Sequence, residues 1–275
     1  MSQIRVEPVT PTIGAEIAGV DLGEELRDEV MREIEQALMR WKVIFFRDQD
    51  ITIEDHKRFG RWFGELEIHP LNERVEQPEL MVIAEDEESR AHNNLWHSDV
   101  TFETCPPMGS ILRAIEIPPV GGDTMWANMN AAYEGLPDEV KEKIHKAKAV
   151  HDWHGFRRGL RARGVSEEKI DELKQRFPNP SHPVVRTHPV TGERCLFVNV
   201  AFTTHIDGMD REESDELLNY LYRQATVPEY QCRFRWKKNS MAFWDNRCTQ
   251  HYALADFHPA RRVVERITVR GDKPV

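Results

Sequence analysis

Short apolar runs bounded by turn residues recur along most of this chain, and they limit its fold more than any other feature. Trp41-Lys42-Val43-Ile44-Phe45-Phe46 reads as a buried strand, and Ser110 to Ile117 as another. Gly122 to Trp126 follows the turn Pro118-Pro119-Val120-Gly121-Gly122. Val184 to His188 and Arg194 to Asn199 flank Thr191-Gly192, a hairpin signal. Gln231 to Trp236 alternates strictly, with Cys232, Phe234 and Trp236 on one face, and Ser240 to Trp244 and Arg262 to Arg270 complete the set. Helical signals are fewer. Leu22, Leu26, Val30, Ile34 and Leu38 recur every fourth residue and predict a helix from about Glu24 to Arg40. Thr52 and Asp210 stand where N-caps belong, Pro137 opens a short helix with acids in its first turn, and Ser166 to about Arg176 reads as a charged surface helix. The pattern predicts one domain over 1–275, mainly β with peripheral helices, as a β-sandwich or jelly roll.

Composition narrows the function classes. Apolar residues at 40% and charged residues at 31% describe a globular chain. No run approaches the roughly 20 apolar residues of a membrane span, and the start lacks a basic and apolar export signal. Against 37 basic residues stand 47 acidic ones, a net charge of −10 that speaks against nucleic acid or an anionic membrane as partner. Small anions stay open, since a pocket needs few positive charges. Cys105, Cys195, Cys232 and Cys248 form no C-x-x-C pair, which excludes a Cys-rich zinc module and predicts reduced thiols in a cytoplasmic protein. A homo-oligomer is left open.

Chemistry gathers around imidazole. In Trp96-His97-Ser98-Asp99, an extended backbone would point His97 and Asp99 to the same side, about 7 Å apart along the strand. One imidazole and one carboxylate could reach a single cation there, although a hydrogen-bonded surface pair has the same signature. His251, at the end of an apolar strand and a short turn, could add a third ligand. Two histidines and a carboxylate leave three positions open, as in non-haem Fe(II) oxygenases; zinc accepts the same ligand types. On the last strand Arg262, Val264, Arg266, Thr268 and Arg270 share a face. That face belongs in water if the strand is ordinary, or lines a polar interior and offers planar forks to acid groups beside a metal.

Ordered matches along the chain then resemble the taurine/2-oxoglutarate dioxygenase (TauD/TfdA) family. They run from Ile13-Gly14-Ala15-Glu16-Ile17 through Phe63-Gly64-Glu65-Leu66, Ile68-His69-Pro70 and Trp96-His97-Ser98-Asp99 to Gly121-Gly122-Asp123-Thr124. Arg186-Thr187-His188-Pro189, Leu196-Phe197-Val198-Asn199, Trp244-Asp245-Asn246-Arg247, Gln250-His251-Tyr252-Ala253 and Gly271-Asp272-Lys273-Pro274 continue them.

The resemblance implies a double-stranded β-helix in which His97, Asp99 and His251 hold Fe(II). It implies that 2-oxoglutarate reaches Arg262 and Thr124 with its far carboxylate, and that O2 completes the reaction. An anionic small molecule would be hydroxylated with formation of succinate and CO2, most simply a sulfonate such as taurine with release of sulfite. An alkyl sulfate ester or an aryloxyalkanoate is the alternative, and a non-catalytic ligand-binding sandwich the remote one. For the substrate the resemblance implies Arg266 on the anionic head, with His69, Asn93 and the aromatic wall Phe202. Asn72 and Trp153 depart from the taurine-specific pattern, which leaves the end that would hold an ammonium unassigned. His145, His154, His182, His188, His205 and His258 are read as loop or helix-face residues without a metal, and Trp62, Trp126, Trp236 and Trp244 as core. Ala84 to Asn94 is expected to be a loop.

Overall fold

The structure, a computed structural model, describes residues 4–68, 76–86, 94–162 and 164–275. Its first part holds β1 (Arg5–Pro8), β2 (Ala15–Ala18), α1 (Asp28–Trp41), β3 (Val43–Phe46), α2 (Ile53–Phe63) and β4 (Met81–Glu85). Next come β5 (Gly109–Glu116), β6 (Thr124–Asn128), α3 (Met129–Glu134), α4 (Asp138–Ile144), β7 (Lys148–His151), α5 (His154–Ala162) and α6 (Glu167–Arg176). The remainder is β8 (Ser181–Pro183), β9 (Val185–Thr187), β10 (Arg194–Leu196), β11 (Thr203–Ile206) and α7 (Arg211–Gln224), then β12 (Gln231–Phe234), β13 (Met241–Asp245), β14 (Thr249–Ala253) and β15 (Arg262–Val269).

Seven strands form the large sheet in the order β1-β2-β3-β13-β5-β15-β4, parallel only between β2 and β3. A smaller antiparallel sheet, β12-β6-β14, faces it. Val43, Phe45, Leu112, Ala242, Trp244 and Val264 of the large sheet meet Trp126, Cys232 and Phe234 of the small one in a single buried cluster. The opposite face of the large sheet carries Ile44, Phe46, Ile111, Met241, Phe243 and Ile267, covered by Ile34 and Leu38 of α1 and Phe59 of α2. Both faces are therefore dry. That is why β3 reads as four unbroken apolar residues rather than an alternation. The result is a jelly roll with helices outside, mainly β as the sequence predicts.

Several boundaries differ from expectation. Helix α1 starts at Asp28 and not near Glu24, because the Asp21 carboxylate accepts from the Gly23 amide and its carbonyl from the Glu24 amide, closing a turn ahead of the helix. Trp41 ends α1, and Lys42 at φ 66° turns the chain into β3. Thr52 caps α2 with a reciprocal Asp55 bond. Ala84 and Glu85 belong to β4, while residues 87–93 lie outside the described residues. Trp62 is 39% exposed on α2 and not core. Cys105 is exposed, and the other three thiols are buried and free. His182 and His205 sit on strands β8 and β11 rather than in loops or on helix faces. No helix among the described residues is long and apolar enough to cross a membrane.

Candidate active site

Residues 97–99 are zipped onto the turn and strand 246–251. His97 and His251 exchange backbone hydrogen bonds, from the His97 amide to the His251 carbonyl at 3.1 Å and back at 2.8 Å. The Ser98 hydroxyl donates to the Thr249 carbonyl at 2.7 Å. The pairing at His97 is an isolated bridge, and the chain turns at Asp99 instead of continuing as the extended segment the sequence suggests. The turn brings the ligand atoms closer than an extended strand would. Asp99 Oδ1 lies 3.9 Å from His97 Nε2 and 3.9 Å from His251 Nε2, and the three donor atoms all fall within 4.8 Å of one another.

Protonation suits a cation. The His97 Nδ1–H donates to the Leu95 carbonyl at 2.7 Å, which leaves Nε2 with its lone pair facing the site. Burial lowers the pKa of His97, and burial with the neighbouring His97 pushes His251 down to about 3, so both imidazoles stay neutral at pH 7. Burial alone would raise Asp99. Arg266, both histidines and the Ser110 hydroxyl outweigh it and hold the carboxyl well below the usual range. Two neutral nitrogens and one carboxylate, none needing to lose a proton first, make a donor set that fits a divalent cation.

The last strand settles which way its arginines face. Residues of β15 are buried on both sides, so Arg262, Val264 and Arg266 point into the interior instead of water. Arg266 donates from Nη1 to Asp99 Oδ1 at 2.8 Å. Arg262 lies four residues away on the same strand face, about 13 Å along it. It is 4% exposed and its Nε finds no hydrogen-bond partner among the described residues. Buried Glu85, opposite it on β4, is its acidic neighbour, and the unpartnered Nε leaves a donor for an anion. Thr124, opposite Ala253 and so two positions along β14 from His251, accepts from the Trp236 indole at 3.0 Å and keeps its own hydroxyl proton to give. Gly122 leaves room here, since a Cβ at that position would stand 3.3 Å from Arg262 Cδ.

On the other side, the Phe202 ring centroid is 6.3 Å from that of His97 and stacks on Phe156 at 5.9 Å. Phe102 closes the same wall, 5.3 Å from Phe202. Trp153 is fully buried behind it, against Phe177, and adds bulk to the wall without facing the site. His69 and Asn93 lie outside the described residues. Sequence reasoning missed Ser110, which bonds Asp99 Oδ2 at 2.9 Å, and the Leu95 carbonyl. Neither carries a local signal.

Two histidines and a carboxylate inside a jelly roll, with a buried arginine awaiting an anion, define the class of Fe(II)- and 2-oxoglutarate-dependent dioxygenases. The sequence matches the family described as "Taurine catabolism dioxygenase TauD, TfdA family" over residues 5–268, and the chain belongs to that family. It is 37% identical to an alpha-ketoglutarate-dependent sulfate ester dioxygenase of Pseudomonas putida, over 99% of this chain and 91% of that protein. A solved taurine dioxygenase from Burkholderia xenovorans matches with TM-score 0.84 and 38% identity, covering 99% of this chain and 93% of that one. The structure of AAD-2 in complex with Mn(II) and N-oxalylglycine matches with TM-score 0.84 and 32% identity, covering 98% of each.

Proposed function

We propose that residues 1–275 form one dioxygenase domain that hydroxylates the carbon bearing a sulfonate or sulfate group, in the cytoplasm, with Fe(II), 2-oxoglutarate and O2. The observation that carries this reading is the pair of cationic features on one strand face: Arg262 short of an acceptor, and Arg266 beside the His97, Asp99 and His251 trio. In this reading His97, Asp99 and His251 hold the iron, which supplies the activation of O2 that no side chain can provide.

The chain's own residues do the rest. Arg262 and the Thr124 hydroxyl take the far carboxylate of 2-oxoglutarate, fixing its direction toward the trio. Arg266, which reaches Asp99 Oδ1 from the same strand face, would grip the substrate's anionic head beside the metal. Phe202, backed by Phe102 and Phe156, excludes water and holds the substrate carbon. His69 and Asn93 are assigned to the same pocket by the family pattern alone.

The balanced outcome for a sulfonate R–CH2–SO3⁻ is R–CHO and bisulfite, with 2-oxoglutarate and O2 becoming succinate and CO2. An alkyl sulfate ester would give the same aldehyde and release sulfate. The three-phenylalanine wall favours an apolar chain on the substrate, and the sulfate ester that names the Pseudomonas putida relative is the second reading. Anaerobic Fe(II) with 2-oxoglutarate should produce a visible charge-transfer band. Sulfonates, sulfate esters and phenoxy acids would then be screened for succinate formed in step with sulfite, sulfate or phenol. Turnover with zinc and without oxygen consumption would overturn the reading.

A further inference from the structure

Asn246 belongs to a motif, Trp244-Asp245-Asn246-Arg247, whose residues have no place in the chemistry above. Its side chain is 0% exposed and makes three bonds. Asn246 Oδ1 accepts from the Asp99 amide at 2.7 Å, while Nδ2 donates to the Asp99 carbonyl at 3.0 Å and to the Pro107 carbonyl at 3.3 Å. An amide side chain thereby replaces a strand neighbour for one residue, satisfying both main-chain groups of Asp99 from 147 positions away.

The backbone beside Asp99 is strained. Val100 sits at φ 40°, a left-handed backbone that a β-branched residue resists, and within the turn itself the Glu103 amide donates to the Val100 carbonyl at 3.0 Å. Asn246 is itself fixed. Its amide donates to the Met108 carbonyl at 2.8 Å, and Asp245 beside it is tied to Arg247 and to His188. Five residues later the same segment presents His251. One turn thus sets the position of two of the three candidate ligands.

Given the metal role proposed for Asp99, on which this rests, we infer that Asn246 is a positioning residue that holds the Asp99 carboxylate at the metal through its backbone. It touches neither the cation nor a substrate. The test is a cycle of full-length variants, Asn246→Ala, Asp99→Ala and the double variant, read by Mn(II) affinity and by the anaerobic Co(II) ligand-field spectrum. Asn246→Ala should weaken Mn(II) binding by about tenfold to a hundredfold, the range for residues that orient a ligand, and move the Co(II) spectrum toward that of Asp99→Ala. In the Asp99→Ala background the same change should alter affinity less than about twofold, because the ligand it positions is gone. Should Asn246→Ala not fold, Asn246→Ser, which keeps one donor and one acceptor, enters the same cycle.

A lowered Tm with wild-type affinity and spectrum would make Asn246 merely structural. Equal losses in both backgrounds would show that it does not act through Asp99. Failure of the wild-type chain to bind either metal would instead overturn the metal reading itself, a separate result.

Discussion

Among the described residues, two trios place potential ligand atoms within 4.8 Å of one another: His97, Asp99 and His251, and His188, Asp245 and Cys248. Residue types barely separate them; the use of lone pairs does. His188 accepts the Val190 and Thr191 amides at Nδ1, at 3.3 and 3.1 Å, and donates from Nε2 to Asp245 at 3.0 Å. Asp245 also takes Arg247 on both oxygens, at 2.9 and 2.6 Å. Burial raises the Cys248 thiol, so it stays protonated. Every donor of this trio is spent on the turn that carries Asn246. In the first trio Asp99 also accepts, from Arg266 and Ser110, but the Nε2 atoms of His97 and His251 stand 3.9 Å from its Oδ1, too far for a hydrogen bond, and keep their lone pairs. What separates the two trios is the imidazoles: both nitrogens of His188 are committed to the turn, while His97 and His251 each hold an Nε2 open toward the carboxylate.

The largest effect should come from removing a ligand. His97→Ala or His251→Ala is expected to weaken Mn(II) or Fe(II) binding by more than about a hundredfold, since losing one of three ligands should exceed the tenfold to hundredfold cost of losing a group that only orients one. Circular dichroism should show the fold intact, and retained affinity would erase the distinction between the trios. Arg262→Ala comes next. Losing a buried charged partner costs about 3 kcal/mol, so the 2-oxoglutarate requirement should rise about a hundredfold; an unchanged KM would remove Arg262 from the site.

His188→Ala breaks the comparison from the other side. It strands two amides and half of the Asp245 pairing, and should lower unfolding free energy by about 2–3 kcal/mol in urea, with Mn(II) affinity within twofold of wild type. A loss of metal binding as large as that of His97→Ala would mean that the second trio binds metal.

Acid gives the smallest effect. His56, outside both trios, lies against the Ile111 carbonyl, and burial pushes it down to about 3. It is neutral in the fold, while the unfolded chain gains a proton below about 6.5. Its contribution is therefore intact above pH 6.5 and fades as pH falls toward 3. Between pH 7 and pH 5 the metal-free protein should lose about 2 kcal/mol more than its His56→Gln variant, measured by urea unfolding of both at both values. An equal loss in the two proteins over that window would contradict a neutral buried imidazole.

Much of this was legible in the chain. Capping residues marked α2, α4 and α7, a charged run marked α6, and apolar runs or alternation marked most long strands, because each signal is local. Short strands such as β7, β8 and β11, at three or four residues, carry too few positions for a period. The start of α1 misled because Leu22 and Leu26 continue the helical stripe, while the Asp21 turn that blocks the helix rests on two hydrogen bonds with no apolar signature. His97, Asp99 and His251 were readable as ligand types, and the arginines of β15 as an alternation open to either face.

By itself the sequence determined the chemistry available: two imidazoles, an acid and two arginines on one strand face, in an order that marks the family. Tertiary structure decided which of these face inward and which lone pairs remain free. The physical reason is that strand alternation separates two faces but does not say which is dry. In this jelly roll both faces of β15 are buried, and the contacts that place Asp99 close across 147 residues, where no local pattern reaches.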